Sequence, residues 1–138
     1  MKSTFIEDMK ETIISRLSEY EGMTTHGCDL AYMLFERENI DGSVLCNTFK
    51  TKEFIKENFD LFGDLIEYCS EMGLEIPNPF LEPEKAHIVL ILEASKSILS
   101  KLSIIDIKWN EEITINQETI KQITNELKAL DIDEEDLF

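Results

Sequence analysis

Positive charge is scarce in this sequence, and it is missing altogether from the middle of the chain. The 138 residues include 13 Lys and Arg against 29 Asp and Glu, which gives a formal net charge of −16 at pH 7. From Glu57 through Glu84 there is no basic residue, whereas eight acidic residues occur. This balance argues against direct binding to nucleic acid or to an anionic membrane, since both are negatively charged. A protein with a basic surface is the partner that such a field would attract.

Cysteines and long apolar runs are also few. The three cysteines, Cys28, Cys46 and Cys69, form no closely spaced pair, which is typical of a protein from a reducing cytosol. Residues 1–20 contain acidic side chains where a secretory signal would need an apolar segment. The longest wholly apolar run, 88–92, is far too short to cross a membrane. The sequence therefore predicts a cytoplasmic protein.

Motifs for catalysis and for metal binding are missing as well. The pair His26 and Cys28 resembles half of a zinc site, but no second half follows, because Cys46, Cys69 and His87 each stand alone. No P-loop, GxGxxG, GxSxG or HExxH pattern occurs. The sequence thus predicts no catalytic residue, no metal and no cofactor. A small enzyme or ligand-binding domain built around His87 and nearby cysteines remains the alternative, as does a structural assembly subunit.

Apolar periodicity predicts one mainly α-helical domain, a bundle over residues 1–130. Hydrophobic residues make up 43% of the chain, enough for a buried core at this length. A helix over about 83–102 is apolar on nearly every side in its first half and is expected at the centre, with Leu90 buried. Gly73 is expected to end the preceding helix and Asn116 to cap the last one. Residues 104–115 alternate partly and are typical of a small β-hairpin.

The most informative pattern is a stripe of six carboxylates with 4-3-4-3-4 spacing, which keeps them on one side of a helix expected to begin at Thr51. An apolar stripe is expected on the opposite face, and Gly63 is the position where the helix is expected to bend or break. One interpretation is a solvated helix face. The other is a surface that docks on a basic groove of a nucleic-acid-binding protein. The carboxylate stripe is Glu53, Glu57, Asp60, Asp64, Glu67 and Glu71, and the apolar stripe is Ile55, Phe59, Phe62, Ile66 and Cys69.

Residues 131–138 form a second acidic segment, an acidic C-terminal tail. It carries five acidic residues, of which Asp133, Glu134, Glu135 and Asp136 are candidates for partner binding. One interpretation is a frayed terminus. The other is a docking peptide whose Leu137 and Phe138 fill a pocket of a partner.

Five segments carry a resemblance to known proteins: EYEG (19–22), CDLAYML (28–34), ERENIDGSVL (36–45), IKENF (55–59) and FLEPEKAH (80–87). They resemble an uncharacterised family of small acidic proteins carried by phages and mobile elements of Gram-positive bacteria. The resemblance spans roughly residues 19–100. It implies an accessory protein acting inside a bacterial host cell but transfers no functional residue. By analogy it points to an inhibitor of host nucleic-acid enzymes such as CRISPR or restriction effectors, an anti-CRISPR protein or nucleic-acid mimic. A homodimer is a further possibility that the sequence leaves open.

Overall fold

Helices make up most of the protein in a computed structural model that describes residues 4–41, 51–75 and 77–138. The predicted fold class, mainly α with a small β element, is confirmed. Single-turn 3₁₀ helices cover Ser18–Tyr20, Gly27–Asp29 and Glu134–Asp136. The elements of the described residues are, in order, α1 (Thr4–Leu17), β1 (Thr24–His26), α2 (Leu30–Asp41), α3 (Thr51–Glu57), α4 (Phe59–Met72), α5 (Pro83–Ser100), α6 (Ser103–Ile107), β2 (Glu112–Thr114) and α7 (Gln117–Ala129).

Helix α5 is the centre of the bundle, as the sequence predicts. It begins with Pro83, whose fixed φ suits the first turn of a helix and whose missing N–H has no intrahelical partner there. It packs most extensively against α2 and also contacts α1, α3, α4 and α6. Leu90 is 0% exposed, so the expectation that it is buried is confirmed. The helix ends two residues earlier than predicted, at Ser100.

Two predicted helix boundaries are confirmed by their capping geometry. Gly73 follows α4 with φ +70°, a left-handed conformation that glycine adopts without a Cβ clash. Before α7, the Asn116 Oδ1 accepts a hydrogen bond from the Thr119 N–H at 2.8 Å. That bond satisfies one of the backbone donors that a helix N-terminus leaves without a partner.

The small sheet joins two strands that lie far apart in the sequence. Strand β2 lies in the segment predicted to be β, but it pairs antiparallel with β1, with Thr25 opposite Ile113. Residues 103–107 are the helix α6 and not a strand of a local hairpin. Beside the sheet, the Gly27 N–H donates to the Lys108 carbonyl at 3.0 Å. A Cβ at position 27 would lie 2.5 Å from that carbonyl oxygen, so this close approach requires glycine.

The C-terminal tail folds back on the helices, and the interpretation of it as a frayed terminus is wrong. Leu137 is 1% exposed and belongs to the hydrophobic core. The Ser97 hydroxyl donates to the Leu137 carbonyl, and the Lys101 Nζ donates to the Asp136 carbonyl at 3.0 Å. Because Leu137 fills this protein's own core, it is not available for a partner's pocket.

In the described residues, no helix is long and apolar enough to cross a membrane.

Candidate functional site

The carboxylate stripe spans two helices, not one. The helix is interrupted at Asn58, between α3 and α4, where φ is −115° and ψ is 25°. The Asn58 Nδ2 donates to the Phe54 carbonyl at 2.9 Å, and the same carbonyl accepts the Asn58 backbone N–H at 3.0 Å. The helix does not break at Gly63, which lies inside α4. Glu53 and Glu57 therefore belong to α3, and the four later carboxylates belong to α4.

Four exposed carboxylates on α4 form the continuous part of the stripe, which we call the α4 row. Their first and last members are 11 residues apart, which is about 16 Å along a helix, and all four fall within an arc of about 60°. Glu53 and Glu57 are also exposed, but on α3. The α4 row consists of Asp60, Asp64, Glu67 and Glu71.

The buried face of α4 differs in part from the predicted apolar stripe. Phe62 and Cys69 are buried as expected, and Ile55 and Ile66 are half-buried. Phe59, by contrast, is 49% exposed, so its predicted role in the core is wrong. The other core positions of α4 are Leu61 and Leu65. The core face of α4 therefore includes Leu61 and Leu65 in place of Phe59.

The folded tail brings the two acidic segments together around one cleft. This acidic cleft has a volume of about 330 Å³ and lies between α4 and the 3₁₀ turn of the tail. Five of its seven lining residues are acidic and none is basic. The structure thus unites three of the six stripe residues with two of the four tail candidates. The cleft is lined by Asp64, Glu67, Tyr68, Glu71, Glu134, Glu135 and Phe138.

The other two tail candidates stabilise the turn itself. Asp133 and Asp136 form a capping box, in which each side chain accepts a hydrogen bond from the backbone of the other residue. The Asp136 Oδ2 lies 3.1 Å from the Asp133 backbone nitrogen. Glu134 and Glu135, between them, are the tail carboxylates that line the cleft.

Two aromatic rings complete the cleft, and one of them escaped sequence reasoning. The rings of Tyr68 and Phe138 contact each other, with centroids 5.7 Å apart. The pKa of Tyr68 is raised, first by burial and second by the nearby Glu93 carboxylate. Its hydroxyl is therefore neutral at pH 7. Tyr68 directly follows Glu67 in the sequence, but only the position of the tail makes it part of a site.

Beneath Tyr68 lies a polar cluster that joins α5 to α2. Glu93 is 6% exposed, and its Oε2 lies 3.5 Å from the Lys96 Nζ. The Lys96 Nζ also donates to the Tyr32 hydroxyl at 3.0 Å. A buried carboxylate is stable only with such a partner. The only positive charge of this cluster is therefore engaged with Glu93 and Tyr32.

Among the described residues, the candidates for catalysis or zinc binding do not assemble into a site. His87 is 0% exposed, and its ring stacks on Phe54 with centroids 4.1 Å apart. Burial lowers the pKa of His87 to about 4, so the ring is neutral at pH 7. Cys69 is buried, and Cys46 lies outside the described residues. Within the described ranges, no group of three or more His, Cys, Asp or Glu side chains is placed to hold a metal ion.

Comparison with known proteins gives this chain no relative. No family model matches it, and neither a curated protein nor a solved structure shows significant similarity to it.

Proposed function

We propose that this protein is a protein–protein interaction module whose acidic cleft and α4 row bind a basic, nucleic-acid-binding surface of a partner protein. The observation that carries the proposal is the convergence of five carboxylates from two distant segments on the lining of one cleft, a lining that includes no basic residue. A merely solvated helix face would not need the tail to bring Glu134 and Glu135 beside it.

The electrostatics of the cleft favour a cationic partner. Carboxylates that line one cleft repel one another, and the repulsion is relieved when Lys or Arg side chains enter. Long-range attraction of the same kind accelerates encounter with a basic surface and weakens beyond about 8–10 Å at physiological salt. We therefore expect association to slow as salt rises, with a smaller effect on dissociation.

The spacing of the α4 row is compatible with a surface that holds nucleic acid. One DNA strand places about five phosphates along the roughly 16 Å that the four carboxylates of the row span. The row is thus slightly sparser than a phosphate backbone, and Glu134 and Glu135 add charge across the cleft. Inhibition or regulation of a host enzyme by occupying its nucleic-acid groove follows as the proposed activity. A CRISPR or restriction effector as that enzyme rests on the family resemblance alone.

Charge reversal with a matched control tests the proposal. The test variant is Asp64→Lys/Glu67→Lys/Glu71→Lys, all exposed positions. The control variant reverses three exposed carboxylates on other elements, Glu11, Glu21 and Glu112, and so has the same net charge. Each protein is used as bait in pull-downs from a bacterial host lysate, and thermal melts establish that both variants fold.

The expected result is a partner retained by wild type and by the control but lost by the test variant. A short DNA duplex should displace that partner from the bait, because DNA and this protein are proposed to bind the same basic surface of the partner. If the folded test variant keeps the partner with unchanged affinity, or if DNA and this protein bind the partner together, the proposal is wrong.

The enzyme alternative receives no support from the position of His87. A general base must reach a substrate within hydrogen-bond distance. His87 is fully buried and stacked on Phe54, so a substrate would reach it only after α3 and α5 separate.

A further inference from the structure

A small apolar patch borders the α4 row on the side away from the acidic cleft. Among the large apolar side chains of the described residues, Leu81 and Phe80 are the most exposed, at 80% and 76%. The Phe80 ring contacts Phe59, with centroids 5.7 Å apart. Together the three side chains expose on the order of 400 Å² of apolar surface, a size often associated with function. We call Phe59, Phe80 and Leu81 the aromatic patch.

The loop that carries Phe80 and Leu81 is fixed by local bonds and not left free. The Asn78 Oδ1 accepts from the Phe80 N–H at 2.8 Å and from the Leu81 N–H at 3.3 Å. The Asn78 carbonyl accepts from the Glu82 N–H at 2.7 Å. Pro77 and Pro79 on this loop are buried. Such preorganisation lowers the entropy lost when the exposed side chains are ordered by a partner.

The charges around the patch identify its occupant. Phe59 adjoins Asp60 of the α4 row, and Leu81 is followed by the exposed carboxylates of Glu82 and Glu84. Two lysines lie near the patch in the sequence: Lys85 is engaged in an ion pair with Glu75, and the exposed Lys56 precedes Phe59 by three positions, so the carboxylates outnumber the free positive charge. A second copy of this chain, with net charge −16, would bring its own acidic rim against this one. A segment with an apolar side chain between basic ones fits instead.

We infer that the aromatic patch anchors the same partner that the α4 row attracts, by taking an apolar side chain flanked by Lys or Arg from the partner's basic surface. The inference rests on the proposed function and adds its apolar contact. In interfaces of this kind a few well-packed aromatic anchors set the dissociation rate, while surrounding charges set encounter. The α4 row would then steer, and Phe80 and Leu81 would hold.

Two peptides separate the apolar contact from the charge. The first is a helix of about 15 residues made of Leu and Lys, with Leu along one face. The second has Ser in place of every Leu and the same charge. Binding of each to the full chain is measured by fluorescence anisotropy. The proteins are wild type, Phe80→Ser/Leu81→Ser, and Ile107→Ser as the matched control, because Ile107 is 70% exposed on the distant helix α6.

Wild type and Ile107→Ser should bind the Leu peptide about tenfold or more tightly than the Ser peptide. Phe80→Ser/Leu81→Ser should bind both peptides alike and keep its affinity for the Ser peptide. The inference is overturned if the double variant keeps the preference for Leu. It is equally overturned if sedimentation shows a wild-type dimer that the double variant loses, since the patch would then serve a second copy. Failure of wild type to bind either peptide would refute the acidic-face function itself.

Discussion

Protonation of a buried histidine should make the stability of this protein fall in mild acid. His87 is a residue of α5 that packs in the core against α3, and burial lowers its pKa from 6.5 to about 4. In the unfolded chain the ring takes up a proton near pH 6.5, whereas in the folded protein it remains neutral until about pH 4. Between these values the unfolded state binds more protons, so the free energy of unfolding decreases as the pH is lowered.

The size of the effect follows from the shift. One pH unit corresponds to 1.36 kcal/mol, so the contribution of His87 at pH 7 is about 3 kcal/mol, lost between pH 6.5 and pH 4. Below pH 4 its contribution should be flat. A loss of this size is a large part of the stability of an ordinary domain.

Urea unfolding at a series of pH values measures this term against a matched variant. His87→Gln keeps hydrogen-bonding groups but does not titrate, and His26→Gln changes the exposed histidine on β1. The difference in unfolding free energy between wild type and His87→Gln should shrink by about 3 kcal/mol from pH 7 to pH 4. That between wild type and His26→Gln should change far less. Carboxylates titrate in all three proteins and cancel. Parallel curves for wild type and His87→Gln would refute the burial argument.

Two further predictions concern packing and are read from unfolding curves at neutral pH. Leu90→Ala in α5 should lower the unfolding free energy by about 2–5 kcal/mol, because its side chain is fully buried; a loss below 1 kcal/mol would contradict the central position of α5. Leu137→Ala should release the tail from the core, so the backbone amides of Asp136 and the residue at 137 should exchange faster with solvent. The denaturation midpoint of the helices should change less than this local exchange does. Unchanged exchange would show that the tail is held by its backbone bonds alone.

Helix ends and the central helix could be predicted because their causes are local. Pro83 at a helix start, Gly73 in a left-handed conformation and the Asn116 side chain at a helix N-terminus act within four residues of themselves. The burial of Leu90 followed from an apolar run too long and too uniform for a surface helix. Each of these predictions needed no knowledge of what lies across the fold.

The interruption of the helix at Asn58 could not be predicted from the carboxylate spacing, because that spacing continues unchanged across Asn58. The carboxylate spacing keeps its rhythm from Glu53 to Glu71, whereas the helix does not continue through Asn58. The signal was present in Asn58 itself, since asparagine competes for backbone hydrogen bonds and disfavours helix interiors. Glycine is a poorer helix former still, and Gly63 therefore predicts an interruption, yet it lies inside α4 with open space around it.

The site was visible in the sequence as two separate acidic segments and not as one cleft. Their union depends on Leu137, Ser97 and Lys101, whose contacts connect residues more than 30 positions apart. The pairing of β1 with β2 is non-local in the same way. Periodicity reports which face of an element is polar, but it carries no information on which distant face comes to lie beside it.

The way the tail is held ties its position to whatever enters the cleft. Burial of Leu137 and the bonds from Ser97 and Lys101 hold the tail at the C-terminal end of α5. There Glu134 and Glu135 share the cleft with Asp64, Glu67 and Glu71 of α4, and carboxylates that share a cleft repel one another. A cationic side chain in the cleft would remove that repulsion and so stabilise the docked tail. By linkage, a docked tail raises the affinity for the cation to the same degree. The proposed binding surface is thus a property of the folded tail and α4 together, and a variant that frees the tail should weaken binding even with every carboxylate still present.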